Sequence, residues 1–303
     1  MSPSPFRFAP VRAAVMVGLA LACAGCGDGK PGDAVAGEMR RELVEMRDDG
    51  QATVRADLKV ALGNVTAGLA EEGTLFQAEI DLPADGLTHT FEATTTETES
   101  GPQAYVTLGL AGEPAGLRDL GGTLDWRLYF APDRPLDLAL DLGAASADLD
   151  LGGIPLRRMV LNTGVARTRL AFGEPNPEPL RLLDVTAGVG EVTLDGLGNA
   201  RFERLAFAGG VGRYRLDFSG DALVPGAEAT VEVGVATLDI ALARGTPVVL
   251  DAPASRISAV EVPAGFVTLG GGRYATPGAE ADRDALRLRV RSGPGRTRVT
   301  FAD

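Results

Sequence analysis

The chain has 303 residues, 45% of them apolar and 5% aromatic, with a formal net charge of −12. That length supports a sizeable core in one long or two ordinary domains. An acidic body disfavours a polyanion such as nucleic acid as partner. Glycine supplies 40 residues, well above the usual ~7%; alongside many Val, Leu and Thr, this points to tight turns between strands.

Residues 1–26 read as an export leader. Arg7 and Arg12 make a short basic region, and Ala13 to Ala22 (AAVMVGLALA) is an apolar stretch of signal-peptide length, too short for a membrane-spanning helix. The following CAGC resembles the bacterial lipobox, with Cys26 as the modified residue after Ala24 and Gly25. Leu is usual three places earlier, where Cys23 stands; Cys23 is the second candidate, and an ordinary secretory signal is the other alternative. The leader holds two arginines and no acid, so its removal gives −12 − 2 = −14. Cys23 and Cys26 are the only cysteines, so the mature body is expected to use no disulfide framework and no cysteine metal site. A lipid on Cys26 would tether it to a membrane in the cell envelope, outside the cytoplasm, without spanning the bilayer.

Residues 27–51 read as a linker ending in one short helix. Gly27 to Ala36 (GDGKPGDAVA) contains a literal G-x-G-x-x-G, but no strand precedes it, so it reads as a tether rather than a nucleotide site. Gly37 to Asp49 has helical spacing, with Met39, Leu43 and Met46 on one side. Residues 52–130 form a less regular β region: TVRADLKVAL, FQAEIDL, AYVTLGL and TLDWRLYF all alternate. Thr94 to Gly101 reads as a polar loop, Ala111 to Gly122 has room for a helical turn, and Pro132 to Pro135 reads as a turn.

Residues 131–303 repeat. Phrases begin at Gly143 (GAASADLDL), Gly164 (GVARTRLAF), Gly188 (GVGEVTLDG), Gly210 (GVGRYRLDF), Gly234 (GVATLDIAL) and Gly293 (GPGRTRVTF). The first five are 21 to 24 residues apart, a solenoid-like period, and an excursion precedes the last. Three places before each glycine stand Leu140, Leu161, Val185, Phe207, Val231 and Val290. Six places after stand Leu149, Leu170, Leu194, Leu216, Ile240 and Val299. Apolar parity changes across the glycine, as it would in a strand that turns a corner there. The predicted fold is therefore all-β, a β-solenoid or right-handed β-helix-like stack of short glycine-turned strands, with the one N-terminal helix.

The outward columns alternate in charge. Asp148 and Asp150 lie in one unit, Arg167 and Arg169 in the next, then Glu191 and Asp195, then Arg213 and Arg215; Arg296 and Arg298 close the series. Stacking in sequence order would set unlike charges side by side, so these arginines read as ladder partners rather than an anion site. A phosphate loop would open a helix and occur once, whereas GVGEVTL continues as a strand and recurs.

The run PLDLALDLGAASADLDLGGIPLRRMVLNTGVARTRLAF, followed by GVGEVTL and GVGRYRL, resembles the bacterial toast-rack domain. GGGRYATPGAEADRDALRLRV resembles its closing segment, and DLKVALGNVTAG, more loosely, its N-terminal glycine phrase. The resemblance implies a β-helix-like stack. It associates the chain with membrane regulators that respond to cell-wall-active antibiotics, and with envelope lipoproteins, and it carries over no catalytic residue.

The chemistry-bearing residues are sparse. His89 is the single histidine and reads as a surface strand residue, which leaves no histidine-based triad. Asp148 and Asp150 could share a hard cation but lack a calcium-loop pattern. Trp126, Leu128 and Phe130 read as core, and Tyr274 as cover for one end of the stack. The expected function is a non-enzymatic, lipid-anchored envelope protein without cofactor or metal. It would bind or scaffold another envelope component, a protein or a polysaccharide, or act in envelope stress. The alternative is a surface adhesin-like or carbohydrate-binding module, and a polysaccharide lyase ranks third.

Overall fold

The computed structural model describes residues 39–84, 86–112, 124–254 and 256–302. The lipobox, the GDGKPG tether and most of Ala111 to Gly122 lie outside these residues. The described strands, in chain order, are β1 (Met39–Arg47), β2 (Thr53–Leu69), β3 (Thr74–Pro83), β4 (Thr88–Thr98), β5 (Gly101–Ala111), β6 (Asp125–Phe130), β7 (Leu136–Asp150), β8 (Leu156–Ala171) and β9 (Leu182–Asp195). They continue as β10 (Arg204–Phe218), β11 (Glu228–Leu242), β12 (Val248–Asp251), β13 (Ser258–Glu261), β14 (Val267–Gly270), β15 (Arg273–Ala275), β16 (Leu286–Ser292) and β17 (Gly295–Phe301). All seventeen join one mixed sheet, and the described residues contain no helix.

The repeat stacks as its columns require. β2, β7, β8, β9, β10 and β11 pair in parallel, each with the next, and β16 with β17 completes the series on β11. Leu149 pairs with Leu170, Leu170 with Leu194, Leu194 with Leu216, Leu216 with Ile240 and Ile240 with Val299. The column from Leu140 to Val290 is equally continuous. Every member of both columns is buried. The rungs are not short strands, however. β7 to β11 are single strands of 14 to 16 residues, each bent once in the middle.

The bend falls at the repeat glycine, where backbone meets backbone. A Cβ added to Gly164 would lie 2.8 Å from the Gly143 carbonyl oxygen, and one on Gly188 2.6 Å from that of Gly164. The same 2.6 Å separates a Gly234 Cβ from the Gly210 oxygen and a Gly293 Cβ from the Gly234 oxygen. Gly143 and Gly210 meet the Ala61 and Gly188 carbonyls in the same way. The column therefore starts at Ala61, not at a glycine of the GNVTAG phrase. An alanine fits there because the strands beyond β2 leave the corner open: β5 pairs as far as Leu58, and β6 begins at Asn64. Inside the stack, Gly209 likewise makes room for the buried Tyr214 ring.

The halves before and after the bend form two layers that face each other across the core. Past β2, the first layer continues into β5 and then β4; the second continues into β6, β3 and β1. At the far end β12, β15 and β14 extend the first layer, and β13 extends the second. Trp126, Leu128 and Phe130 are buried, and Tyr274 packs partly buried against the core.

Two sequence expectations are corrected. Met39–Arg47 is a strand rather than a helix, paired antiparallel with β3 over its whole length. Its Val44 and Met46 are the buried residues, at a spacing of two; pairing to an apolar strand edge outweighs the helical spacing of Met39, Leu43 and Met46. Thr94 to Gly101 is not a loop. Its threonines all belong to β4, which turns through the two residues Glu99 and Ser100 into β5 at Gly101, and β-branched threonine suits a strand.

Asp81 ties three strands together. Arg41 of β1 reaches it through Nε at 2.7 Å and Nη2 at 3.1 Å, and Arg127 of β6 through Nη1 at 3.1 Å. The Arg41 hydrogen bonds hold the Asp81 carboxyl below the usual range.

Two outcomes follow. Gly188→Ala should cost about 1–3 kcal/mol in chemical denaturation, as overpacking does, while Gly68→Ala, with open space around it, should stay within about 0.5 kcal/mol. Asp81 has a depressed folded pKa, so its contribution is present above the unfolded carboxyl value near 3.9 and fades as pH falls. Asp81→Asn should therefore melt earlier than the parent at pH 7, with the difference closing below about pH 4.

Candidate binding surface

Both the repeat glycine and the residue after it point outward, because the parity of the strand changes there. The second letter of the repeat phrase then forms a line along the outside of the corner. Val165, Val189, Val211 and Val235 are adjacent in register and remain 64%, 52%, 50% and 54% exposed. Exposed Ala144 and partly buried Leu62 continue the line on one side, and exposed Pro294 on the other. With rungs ~4.8 Å apart, the four valines make a continuous apolar ridge. The sequence carries its signal openly, as GV in four successive phrases, but a glycine-anchored search for core columns passes over it.

Charge flanks the ridge. On the second-layer side a shallow groove of about 550 Å³ is lined by Asn64, Thr66, Ser146, Asp148, Arg167, Arg169, Glu191 and Thr193. The arginines there pair between rungs: Arg169 reaches Asp148 at 3.2 Å and Asp195 at 2.8 Å, and Arg167 reaches Glu191 at 3.5 Å. The two carboxylates raise the Arg169 pKa further. Arg215 bonds Asp217 within its own rung, at 3.4 Å, rather than an acid on the next. Arg296 and Arg298 pair with Glu261 of β13, not with Asp239 of β11, because β13 adds a strand on their far side. On the first-layer side a groove of about 780 Å³ runs past Thr186, Ala208, Glu232 and Arg291 to Pro253 and Ala254.

The remaining candidates sit apart from one another. His89 is half-buried on β4 and pairs with Glu42 of β1, so it clasps two strands rather than facing solvent freely. Asp148 is taken up by Arg169, and Asp150 accepts the N–H groups of Gly152 and Gly173. Among the described residues no three His, Cys, Asp or Glu side chains gather to hold a metal, and no helix is long and apolar enough to cross a membrane. The six repeat glycines form the corner column beneath the ridge.

Residues 35–195 match the family described as the N-terminal domain of toast_rack, DUF2154. The chain belongs to this family. The matched toast-rack segment ends with β9, and β10, β11, β16 and β17 prolong the same register beyond it. A crystal structure of a candidate cell adhesion protein from Clostridium sporogenes is 15% identical, with a TM-score of 0.46 over 88% of this chain and all of its own. A candidate adhesin from Bacteroides fragilis is 8% identical, with a TM-score of 0.38 over 88% of this chain and 97% of its own. A candidate lipid binding protein from Parabacteroides distasonis is 8% identical, with a TM-score of 0.33 over 88% and 98%. No functionally curated protein matches the sequence.

The ridge should be separable from the fold. Replacing Val165, Val189, Val211 and Val235 together by threonine keeps the β-branch. It should cost less than about 1 kcal/mol per site, while retention on a phenyl column falls clearly. A collapse of the melting transition would show instead that the valines act as core.

Proposed function

We propose that this toast-rack protein is a non-enzymatic component of the cell envelope, anchored through a lipid on Cys26. It would bind or scaffold an envelope protein along the corner ridge. The ridge carries this reading: a monomer surface rarely leaves a contiguous apolar strip that no neighbouring side chain covers. The stack beneath it is rigid, since each rung is paired on both sides, so the strip is held straight over several rungs. Its chemistry favours a protein over a polysaccharide. Among the described residues the exposed large apolar side chains are valine, leucine, isoleucine and methionine, with no aromatic ring among them to lie against a sugar. A role in envelope-stress sensing is compatible with the same surface, the bound component being the signal.

Two arms test the reading. The parent chain should label with fatty acid and sediment with membranes, and Cys26→Ser should abolish both; unchanged labelling would move the site to Cys23. A photo-crosslinking residue at Val189 should give a discrete protein adduct in intact cells, and one at the exposed turn residue Glu72 should not. A diffuse pattern equal at both positions would defeat the ridge as a contact surface.

A further inference from the structure

The first layer ends in a strand edge with little of the usual protection. β4 pairs in unbroken register with β5 over eleven residues, from Thr88 with Ala111 to Thr98 with Gly101. Among the described residues no strand pairs with its other edge. It contains no proline, lysine or arginine and no bulge, and Glu92 and Glu97 are its only acidic groups, so most of the devices that ordinarily blunt an edge are missing. The pairing pattern shows which groups face outward. Across a two-residue hairpin the flanking pair, Thr98 and Gly101, exchanges hydrogen bonds, and alternate pairs follow suit. The Pro102 carbonyl accepts from Ala52, away from β4, which fixes the same phase. The N–H and C=O groups of His89, Phe91, Ala93, Thr95 and Glu97 therefore point away from β5.

We infer that β4 is a self-association strand, pairing antiparallel with β4 of a second copy about a two-fold axis at Ala93. The inference is independent of the ridge. The five outward residues are symmetric about Ala93, so this register alone engages all of them, making about ten hydrogen bonds. Its side chains are compatible throughout. Phe91 falls opposite Thr95, Thr90 opposite Thr96, Thr88 opposite Thr98 and Glu92 opposite Thr94, while His89 meets Glu97 of the second copy. The small Ala93 meets itself at the axis. Threonine pairs favour cross-strand pairing, and like charges oppose it. Sliding one step towards the start of β4, to the next register with the same hydrogen-bond phase, sets Glu92 directly against Glu92. Charge disfavours that register; the opposite slide sets Thr94 against Thr94 without a like-charge contact, but it leaves the outward groups of His89 unpaired and loses two of the hydrogen bonds. The first layers of two molecules would become one continuous sheet, with the ridges left outside the contact.

The test uses the full chain carrying Cys23→Ser and Cys26→Ser, which removes both native cysteines. Ala93→Cys should form a disulfide-linked dimer on mild oxidation, because a hydrogen-bonded pair sits about 5.5 Å apart in Cα, within disulfide reach. Thr95→Cys should not, since its copies would lie four residues, about 13 Å, apart. In sedimentation equilibrium Thr94→Glu should weaken the dimer about three- to tenfold by facing Glu92, and Thr94→Lys should tighten it by a similar factor. Ala93→Pro removes an outward N–H and no bond to β5, so it should yield a monomer whose melting temperature matches that of the parent at dilutions where the parent is itself monomeric. The inference is overturned if the parent sediments as a monomer at ~100 µM, well above usual specific affinities. It is equally overturned if Thr95→Cys links as readily as Ala93→Cys, or if Thr94→Lys weakens the dimer as Thr94→Glu does.

Discussion

The structure depends on one close approach. At the corner of each rung past β2 a carbonyl oxygen of the preceding rung, Ala61 first and a repeat glycine thereafter, occupies the space where a side chain would stand. That contact lets strands of 14 to 16 residues bend in unison, so that each carries one half into each layer. A single larger residue there would push two rungs apart at the point where their hydrogen-bond ladder changes direction. The six glycines matter through the column they form, not through chemistry of their own.

The same bend arranges the remaining features. It turns two alternating halves inward, so aliphatic columns on either side of the glycine share one dry interior. It also forces two consecutive residues outward, which is why a glycine and a valine recur together and why the valines form a ridge. The charged columns brace the stack where they pair between rungs. Arg167 and Arg169 face acids on neighbouring rungs, which keeps like charges from lying in register. Each exposed pair contributes little by itself. Their alternation still disfavours out-of-order stacking.

The ends of the stack follow different rules. At the N-terminal end the layers run past the corner as separate strands, closed by the Asp81 clasp and by the His89–Glu42 contact between β4 and β1. Here local pattern misleads. Met39, Leu43 and Met46 have helical spacing, yet their segment lies along β3 because that edge offers nine backbone partners. The threonine run resembles a loop in polarity, yet its β-branching holds it in an edge strand.

The sequence alone determined the repeat period, the inward columns and the order of the rungs, because each is written many times and a periodic stack reads its own register. It also shows that no cysteine stands beyond Cys26. Features that occur once were not legible. The identity of β1 as a strand, the pairing of His89 with Glu42, the turn of Arg296 and Arg298 towards Glu261, and the open edge of β4 all rest on contacts between segments distant in the chain. Only the tertiary structure brings those segments together, since a strand's partners are chosen by the edge available to it and not by its own residues.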